Sequence, residues 1–371
     1  MGCGATKAVQ VQPADAVESL APGDYPGTSG IPSGVELELD RLSTLDDLPS
    51  GESGEPRVLL LGAGDCGKST LFRQLQLLYG GTAAAKNSYV LAGAVRSHLF
   101  HTLREATQGM ARLGIEFAEP QNIARAQTLL DVAKVDDATV RGLDDDVAAV
   151  GADAGLRAVL KRGAAVHLPE SAAYFLDAAS RILAPGYVPT GDDVLRMRVR
   201  TRGVALAQVS AFGRDFEVVD VGGARTERRK WAGRLRGAAA VFWVGSLAEF
   251  DQPLYEDEEV NRLDESVALW RETAAMPELE GAALSVFLCK RDVLAAKAAA
   301  ADADALAALR ARCAGSGGDA DGADPSALVA QRYLDACPRL SKADVHAVDA
   351  TDAKDVRAAL DAAFRGLAKP V

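Results

Sequence analysis

Apolar residues along this chain change their spacing several times. Residues 57–61 form a short apolar run that enters a glycine-rich turn, and from residue 69 to 79 apolar positions recur at helical spacing. The predicted order is strand, loop, helix. From about residue 83 to 190 the pattern is helical throughout, with breaks near Gly114, Pro120, Gly142 and Gly163 and a strongly amphipathic stretch at 171–183. Beyond it, apolar runs at 216–221, 239–244, 284–289 and 344–348 alternate with helical segments, which predicts an α/β fold with a doubly wound parallel sheet. An all-helical block therefore interrupts an α/β domain. The expected pieces are an arm over 1–56, a first α/β part over 57–80, the insertion over 81–190 and a second α/β part over 191–371.

Smaller features follow from punctuating residues. Pro13, Pro22, Pro26, Pro32, Pro49 and Pro56 recur too often for a long helix, so the arm is expected to be mostly flexible. Residues 293–313 predict one alanine-rich helix and 315–325 a polar surface loop. A last helix from residue 355 stops early at Pro370.

Composition narrows the function. Of 371 residues, 48% are hydrophobic and 25% charged, an ordinary core-forming balance. A net charge of -11 argues against a nucleic-acid partner, which needs clustered Lys and Arg. Cys3, Cys66, Cys289, Cys313 and Cys337 form no CxxC pair, and four histidines assemble no zinc spacing. A reduced intracellular compartment is the expectation. No apolar run approaches the roughly 20 residues that span a bilayer.

Five segments carry candidate chemistry. Residues 62–70, GAGDCGKST, satisfy G-x-x-x-x-G-K-[ST] between a strand and a helix. There the backbone N–H groups of Asp65, Cys66, Gly67, Lys68, Ser69 and Thr70 can face a phosphate, Lys68 can neutralise it, and Ser69 can offer a hydroxyl to Mg²⁺. The second segment, residues 193–201, carries alternate arginines and ends on Thr201; by itself it predicts only a basic strand. An arginine there can meet charge developing on a γ-phosphate, and the threonine can complete a Mg²⁺ shell. The third, Phe216 to Gly223, is an apolar strand closing on Asp220, Val221, Gly222 and Gly223, where a carboxylate can hold the metal's waters. In the fourth, FLCKRD, the carboxylate of Asp292 can accept the guanine N1–H and amino hydrogens, which adenine does not match. The fifth, Ala350-Thr351-Asp352, can offer a backbone N–H to the guanine carbonyl. Each is weak alone, and their order supplies the specificity.

Taken together, these residues resemble the alpha subunits of heterotrimeric G proteins over about 57–365. The closest stretches are GAGDCGKST, YFLDAASRILAPGYVPTGDDVLRMRVRT, DVGGARTERRKW, DQPLYEDEEVNRLDESVALW and ATD. The resemblance implies a doubly wound P-loop GTPase domain with an inserted all-α helical domain clasping GTP or GDP with Mg²⁺. It implies Ser69 and Thr201 at the metal, and a first switch of Leu195, Arg196, Met197, Arg198, Val199, Arg200 and Thr201. Arg198 would be the arginine finger supplied in cis, and Asp220 to Ala224 the second switch. Cys289, Lys290, Arg291, Asp292 and Ala350 would lie at the guanine, with Glu170 and Ser171 reaching in from the helical domain. The partners implied are a beta-gamma dimer, a seven-helix receptor, an effector of unspecified identity and the cytoplasmic face of a membrane, the plasma membrane being expected.

Four departures modify that expectation. Ala224 stands where the family has the glutamine that orients attacking water, which predicts slow hydrolysis with binding kept. Cys289 stands where the family has asparagine and cannot present an amide. Gly2 fits a myristoylation pattern and Cys3 a palmitoylation site, so two acyl chains are expected, yet the proline-rich arm lacks the amphipathic helix that holds beta-gamma. The chain after residue 352 is short for the family's receptor-contacting tail. A weak GTPase signalling protein is the first reading; a non-hydrolysing nucleotide-dependent binding module is the alternative, and an adenine-nucleotide enzyme is disfavoured by Asp292.

Overall fold

The computed structural model describes residues 54–80, 88–132, 139–140, 142–166, 168–198, 204–223, 228, 231, 235–254, 257–299, 303–313 and 324–368, together with the two-residue strand Arg41–Leu42. That strand, β1, is followed by β2 (Arg57–Gly62), β3 (Val204–Ala211), β4 (Arg214–Val221), β5 (Ala240–Ser246), β6 (Ala283–Cys289) and β7 (Val345–Ala347). They form one sheet in the order β1-β3-β4-β2-β5-β6-β7. Pairing is parallel from β4 through β7 and antiparallel at β1–β3 and β3–β4.

The doubly wound parallel sheet expected from the sequence is present over β4-β2-β5-β6-β7, and β3 and β1 add an antiparallel edge to it. Strand β3 escapes the sequence pattern because its inward positions Ala205, Ala207 and Ala211 are small and weak strand formers. Its place is fixed by the hairpin with β4, whose turn carries Phe212 and Gly213 at φ 50° and 75°. Residues Arg41 and Leu42 of the supposed flexible arm pair with Ala205 and Val204 at the sheet edge.

Helix α1 (Lys68–Tyr79) follows β2 directly. The inserted helices are α2 (Ser88–Leu113), α3 (Gln121–Leu130), α4 (Asp144–Ala152), α5 (Ala154–Lys161), α6 (Ala172–Asp177) and α7 (Ala179–Leu183). After them come α8 (Gly191–Arg196), α9 (Arg262–Ala274), α10 (Arg291–Ala299), α11 (Ala303–Cys313), α12 (Pro325–Ala336) and α13 (Ala353–Ala368). Of the helix expected over 293–313, the described residues form α10 and α11, with 300–302 outside them, and the amphipathic stretch 171–183 divides at Ala178. Of the segment 193–201, expected as a basic strand, residues 193–196 are helical, in a helix that Thr190 and Asp193 start with a reciprocal capping box.

Three cores result. One face of the sheet packs Leu59, Val219, Trp243 and Val286 against α9, α11 and α12, while the other packs Val58, Phe242 and Phe287 against α1 and α13. The alternation along β2 sends successive side chains to opposite faces, which is why its near-continuous apolar run is buried on both. The helical block has its own core, in which Leu99, Val147, Leu156, Phe175 and Ile182 are fully buried or nearly so. Burial of each such side chain is worth about 1.5–3 kcal/mol.

Candidate functional site

The turn between β2 and α1 lies at the carboxyl edge of the parallel strands. Gly62 is needed there: a Cβ would sit 2.1 Å from the Val244 carbonyl oxygen, and its φ is 150°. Gly67, at φ 106°, precedes α1 with no side-chain cap on the helix. The first N–H groups of α1 have no acceptor within the helix, so the turn is an anion cradle by geometry. Lys68, buried to 6% exposure, folds over the turn and donates to the Gly62 and Ala63 carbonyls at 3.1 and 2.7 Å.

Beside the cradle, the Ser69 hydroxyl donates to Asp220 Oδ2 at 3.4 Å, joining α1 to the end of β4. Hydroxyl and carboxylate oxygens suit a hard divalent cation, and the donor set here fits Mg²⁺. No group of three or more His, Cys, Asp or Glu with metal-holding geometry occurs among the described residues. Gly223 closes this corner, since a Cβ on it would lie 2.3 Å from Lys68 Nζ. Its carbonyl accepts from Arg228 Nε at 3.0 Å, and Arg228 also pairs with Glu265 of α9 at 3.1 Å. The Gly222 carbonyl accepts from the Trp231 indole at 3.2 Å.

Helix α8 is tied to α1 by its backbone. Thr70 donates to the Leu195 carbonyl at 3.2 Å, and Arg73 donates to the Val194 and Met197 carbonyls at 3.1 and 3.0 Å. This brings Arg198 to the cradle, where Nε meets Asp65 Oδ1 at 3.1 Å and Nη2 meets Oδ2 at 2.5 Å. Asp65 itself has φ 60°. On the far side Arg262 bonds the Gly64 carbonyl and Glu249, both at 2.8 Å, and comes within 3.8 Å of Asp65. The surrounding protein alone would raise the Asp65 carboxyl, but Arg198, then Arg262 and Lys290, outweigh that and hold it at about 2.

At the opposite end, β6 delivers Cys289 and Lys290. Cys289 is fully buried, and a Cβ on Gly67 would stand 3.2 Å from its Sγ, so the thiol fills the space beneath the cradle. Burial, reinforced by Cys66 nearby, pushes the Cys289 thiol well up. Cys66 is also buried, and its thiol donates to the Ala63 carbonyl at 3.1 Å. Lys290, at φ 65°, pairs with Glu170 from the helical block at 2.8 Å. Glu170 is thereby lowered to about 2, although burial acts the other way. Burial and Asp349 both raise the Asp292 carboxyl. Ala350 is buried, and its carbonyl accepts from Gln74 of α1 at 3.1 Å.

Several candidates reach the site only through backbone. The Met197 side chain lies in the helical-block core, Val221 lies in the sheet core, and Arg291 turns to Asp355 at 2.8 Å. Ser171 precedes α6 without capping it. Val199, Arg200, Thr201 and Ala224 lie outside the described residues, as do Gly2 and Cys3. Sequence reasoning missed Arg262, Glu249 and Arg73. Arg262 falls within a segment singled out above, yet its partner Gly64 is 198 positions away and no local pattern marks the contact.

A glycine cradle at the head of α1, on a largely parallel sheet whose first helix leads into an all-helical insertion, defines a P-loop protein of the two-domain type. The G-protein alpha subunit family model matches residues 40–366. The chain is 31% identical over 301 residues to the guanine nucleotide-binding protein alpha-1 subunit of Mycosarcoma maydis, covering 80% of this chain and 78% of that one. It is 33% identical over 267 residues to the guanine nucleotide-binding protein subunit alpha-15 of Homo sapiens, covering 71% and 70%. The chain belongs to the G-protein alpha subunit family.

Proposed function

We propose that this protein binds GTP and GDP with Mg²⁺ and acts as a nucleotide-dependent signalling switch whose hydrolysis is slow. The observation that carries this reading is the convergence of Lys68, the Ser69–Asp220 pair, the Arg198–Asp65 pair and the Lys290–Glu170 pair around one cradle. In this reading the α1 amides and Lys68 hold the phosphates, and Ser69 and Asp220, with Thr201, hold Mg²⁺. The metal supplies charge neutralisation to the phosphate chain. Arg198 meets charge that develops on the transferred phosphoryl group, and Asp65 keeps its guanidinium beside the cradle. Asp292 and the Ala350 N–H read guanine, and Lys290 and Glu170 close over it.

Ala224 supplies no hydrogen bond to an attacking water, so the ground-state complex outlives that of a relative with glutamine there. The switch output would be a changed presentation of Arg225, Arg228, Arg229, Lys230 and Trp231 to partners; of these only Arg228 and Trp231 are among the described residues, and Trp231 is buried. Acyl chains on Gly2 and Cys3 would hold the protein at a membrane; among the described residues no helix is long and apolar enough to cross one. Beta-gamma and receptor binding are proposed only as family-type partnerships for direct assay.

Ala224 and Cys289 favour a second reading, a binding module that does not turn over, because alanine gives an attacking water no hydrogen-bond partner and a buried thiol stands where the family has an amide. Extracting the nucleotide from purified protein and following one round of hydrolysis separates the two. GDP with measurable turnover supports the switch, intact GTP supports the module, and bound ATP refutes both.

A further inference from the structure

One side chain joins the helical block to the loop that carries Ala350. The Arg196 backbone sits on the α/β side, since both neighbouring carbonyls, Leu195 and Met197, accept from α1. Its guanidinium donates Nη2 to the Thr351 hydroxyl at 3.2 Å and lies 5.1 Å from the centre of the Tyr174 ring in α6. Both partners are themselves fixed. Tyr174 donates to Asp193 Oδ1 at 2.7 Å, and that fully buried carboxylate also accepts from Arg181, Tyr187 and the Thr190 N–H. Thr351 donates its N–H and hydroxyl to Asp349 at 2.8 and 2.7 Å.

We infer that Arg196 is a strap that holds the helical block against the base loop and so sets how long a nucleotide stays bound. This rests on the proposed nucleotide reading. A ligand enclosed between the two bodies leaves when they part, and the Tyr174–Arg196–Thr351 contact has to break for that to happen. Among the described residues Asp193 of the same helix also takes bonds from Tyr174, Arg181 and Tyr187, and Glu170 reaches Gln252 at 3.4 Å and Lys290 at 2.8 Å; the Lys290–Glu170 contact is a partly exposed ion pair that salt screens. A guanidinium over a neutral ring, with a neutral hydroxyl as second partner, is far less sensitive to salt. The Arg196 charge also favours the ionised form of Asp292, opposing the effect of Asp349.

The test uses the full chain and a fluorescent GDP chased with excess unlabelled GDP. Arg196→Ala should release nucleotide roughly tenfold faster, and Tyr174→Leu several-fold faster. The double variant should be faster than Arg196→Ala by less than the Tyr174→Leu effect alone, because the Arg196–Tyr174 contact is lost in both and only the Tyr174–Asp193 bond is lost in addition. Tyr174→Phe, which keeps the ring, should stay close to the native rate. In about 1 M salt the Arg196→Ala effect should persist while that of Glu170→Gln fades. Circular dichroism melts establish that each variant is folded, and Arg196→Lys, which keeps the charge but loses the guanidinium, should fall between native and Ala. Release from Arg196→Ala within twofold of native, or strictly additive effects in the double variant, overturns the strap alone. Failure of the native chain to hold any guanine nucleotide overturns the nucleotide reading and the strap with it.

Discussion

Arg198 and Asp65, 133 positions apart in sequence, meet through two hydrogen bonds, Nε to Oδ1 at 3.1 Å and Nη2 to Oδ2 at 2.5 Å. A planar guanidinium matches a carboxylate in this two-point way, and lysine does not. Because the Asp65 carboxyl is lowered from 3.8 to about 2, its share of this contact is complete above about pH 4 and is lost as pH falls through 2. Arg198→Ala is expected to lower single-turnover GTP hydrolysis by roughly a hundredfold while changing GDP affinity far less. Rapid-quench measurement of phosphate release checks this; equal losses in rate and affinity would assign Arg198 to ground-state binding.

Ala224→Gln should restore a group able to orient water. Hydrolysis in one turnover is expected to rise at least tenfold, an order-of-magnitude gain from positioning, with nucleotide affinity within about twofold of native. No rise in rate would show that Ala224 is not what slows the reaction.

Cys289→Asn should return an amide to the space between the cradle and the base. The expected gain is about 1–3 kcal/mol, a roughly ten- to hundredfold slower GDP release. Stopped-flow release from both proteins tests it, and unchanged rates would mean that the buried thiol is harmless.

Gly62→Ala should damage the fold rather than chemistry alone. The added Cβ would meet backbone, the Val244 carbonyl at 2.1 Å, and neither β2 nor β5 can move aside without disrupting the central sheet. A loss of roughly 3 kcal/mol or more in denaturant unfolding is expected. A loss below about 1 kcal/mol would contradict the tight strand approach.

His98 should make the helical block acid-sensitive. It is buried edge-on to Phe175 with ring centres 4.5 Å apart, and its Nε2 has no hydrogen-bond partner among the described residues. Burial first, then His101, Arg198 and Arg73, lowers its pKa from 6.5 to about 3. The unfolded chain takes up this proton below about pH 6.5 while the folded chain refuses it until about 3, so stability falls across that window. His98→Leu should move the acid-unfolding midpoint down by roughly half a pH unit, read by circular dichroism; an unmoved midpoint would exclude His98 as a contributor.

The sequence by itself determined whatever is local in cause. Glycines at 62 and 67, a lysine and a hydroxyl residue after them, and a strand on one side with a helix on the other specify the cradle, because tight turns and helix starts depend on neighbouring residues. The helical insertion was legible for the same reason, through 3.6-residue spacing. Only the tertiary structure decided what depends on partners far along the chain. Strand β3 exists because β4 pairs with it, despite its alanines. Arg262 and Arg73 became part of the site because folding carries them to backbone carbonyls that no spacing rule connects. Cys289 stood in the sequence as a missing amide; the fold makes it a buried thiol packed under Gly67, since burial and close packing are properties of the assembled core and not of the residue.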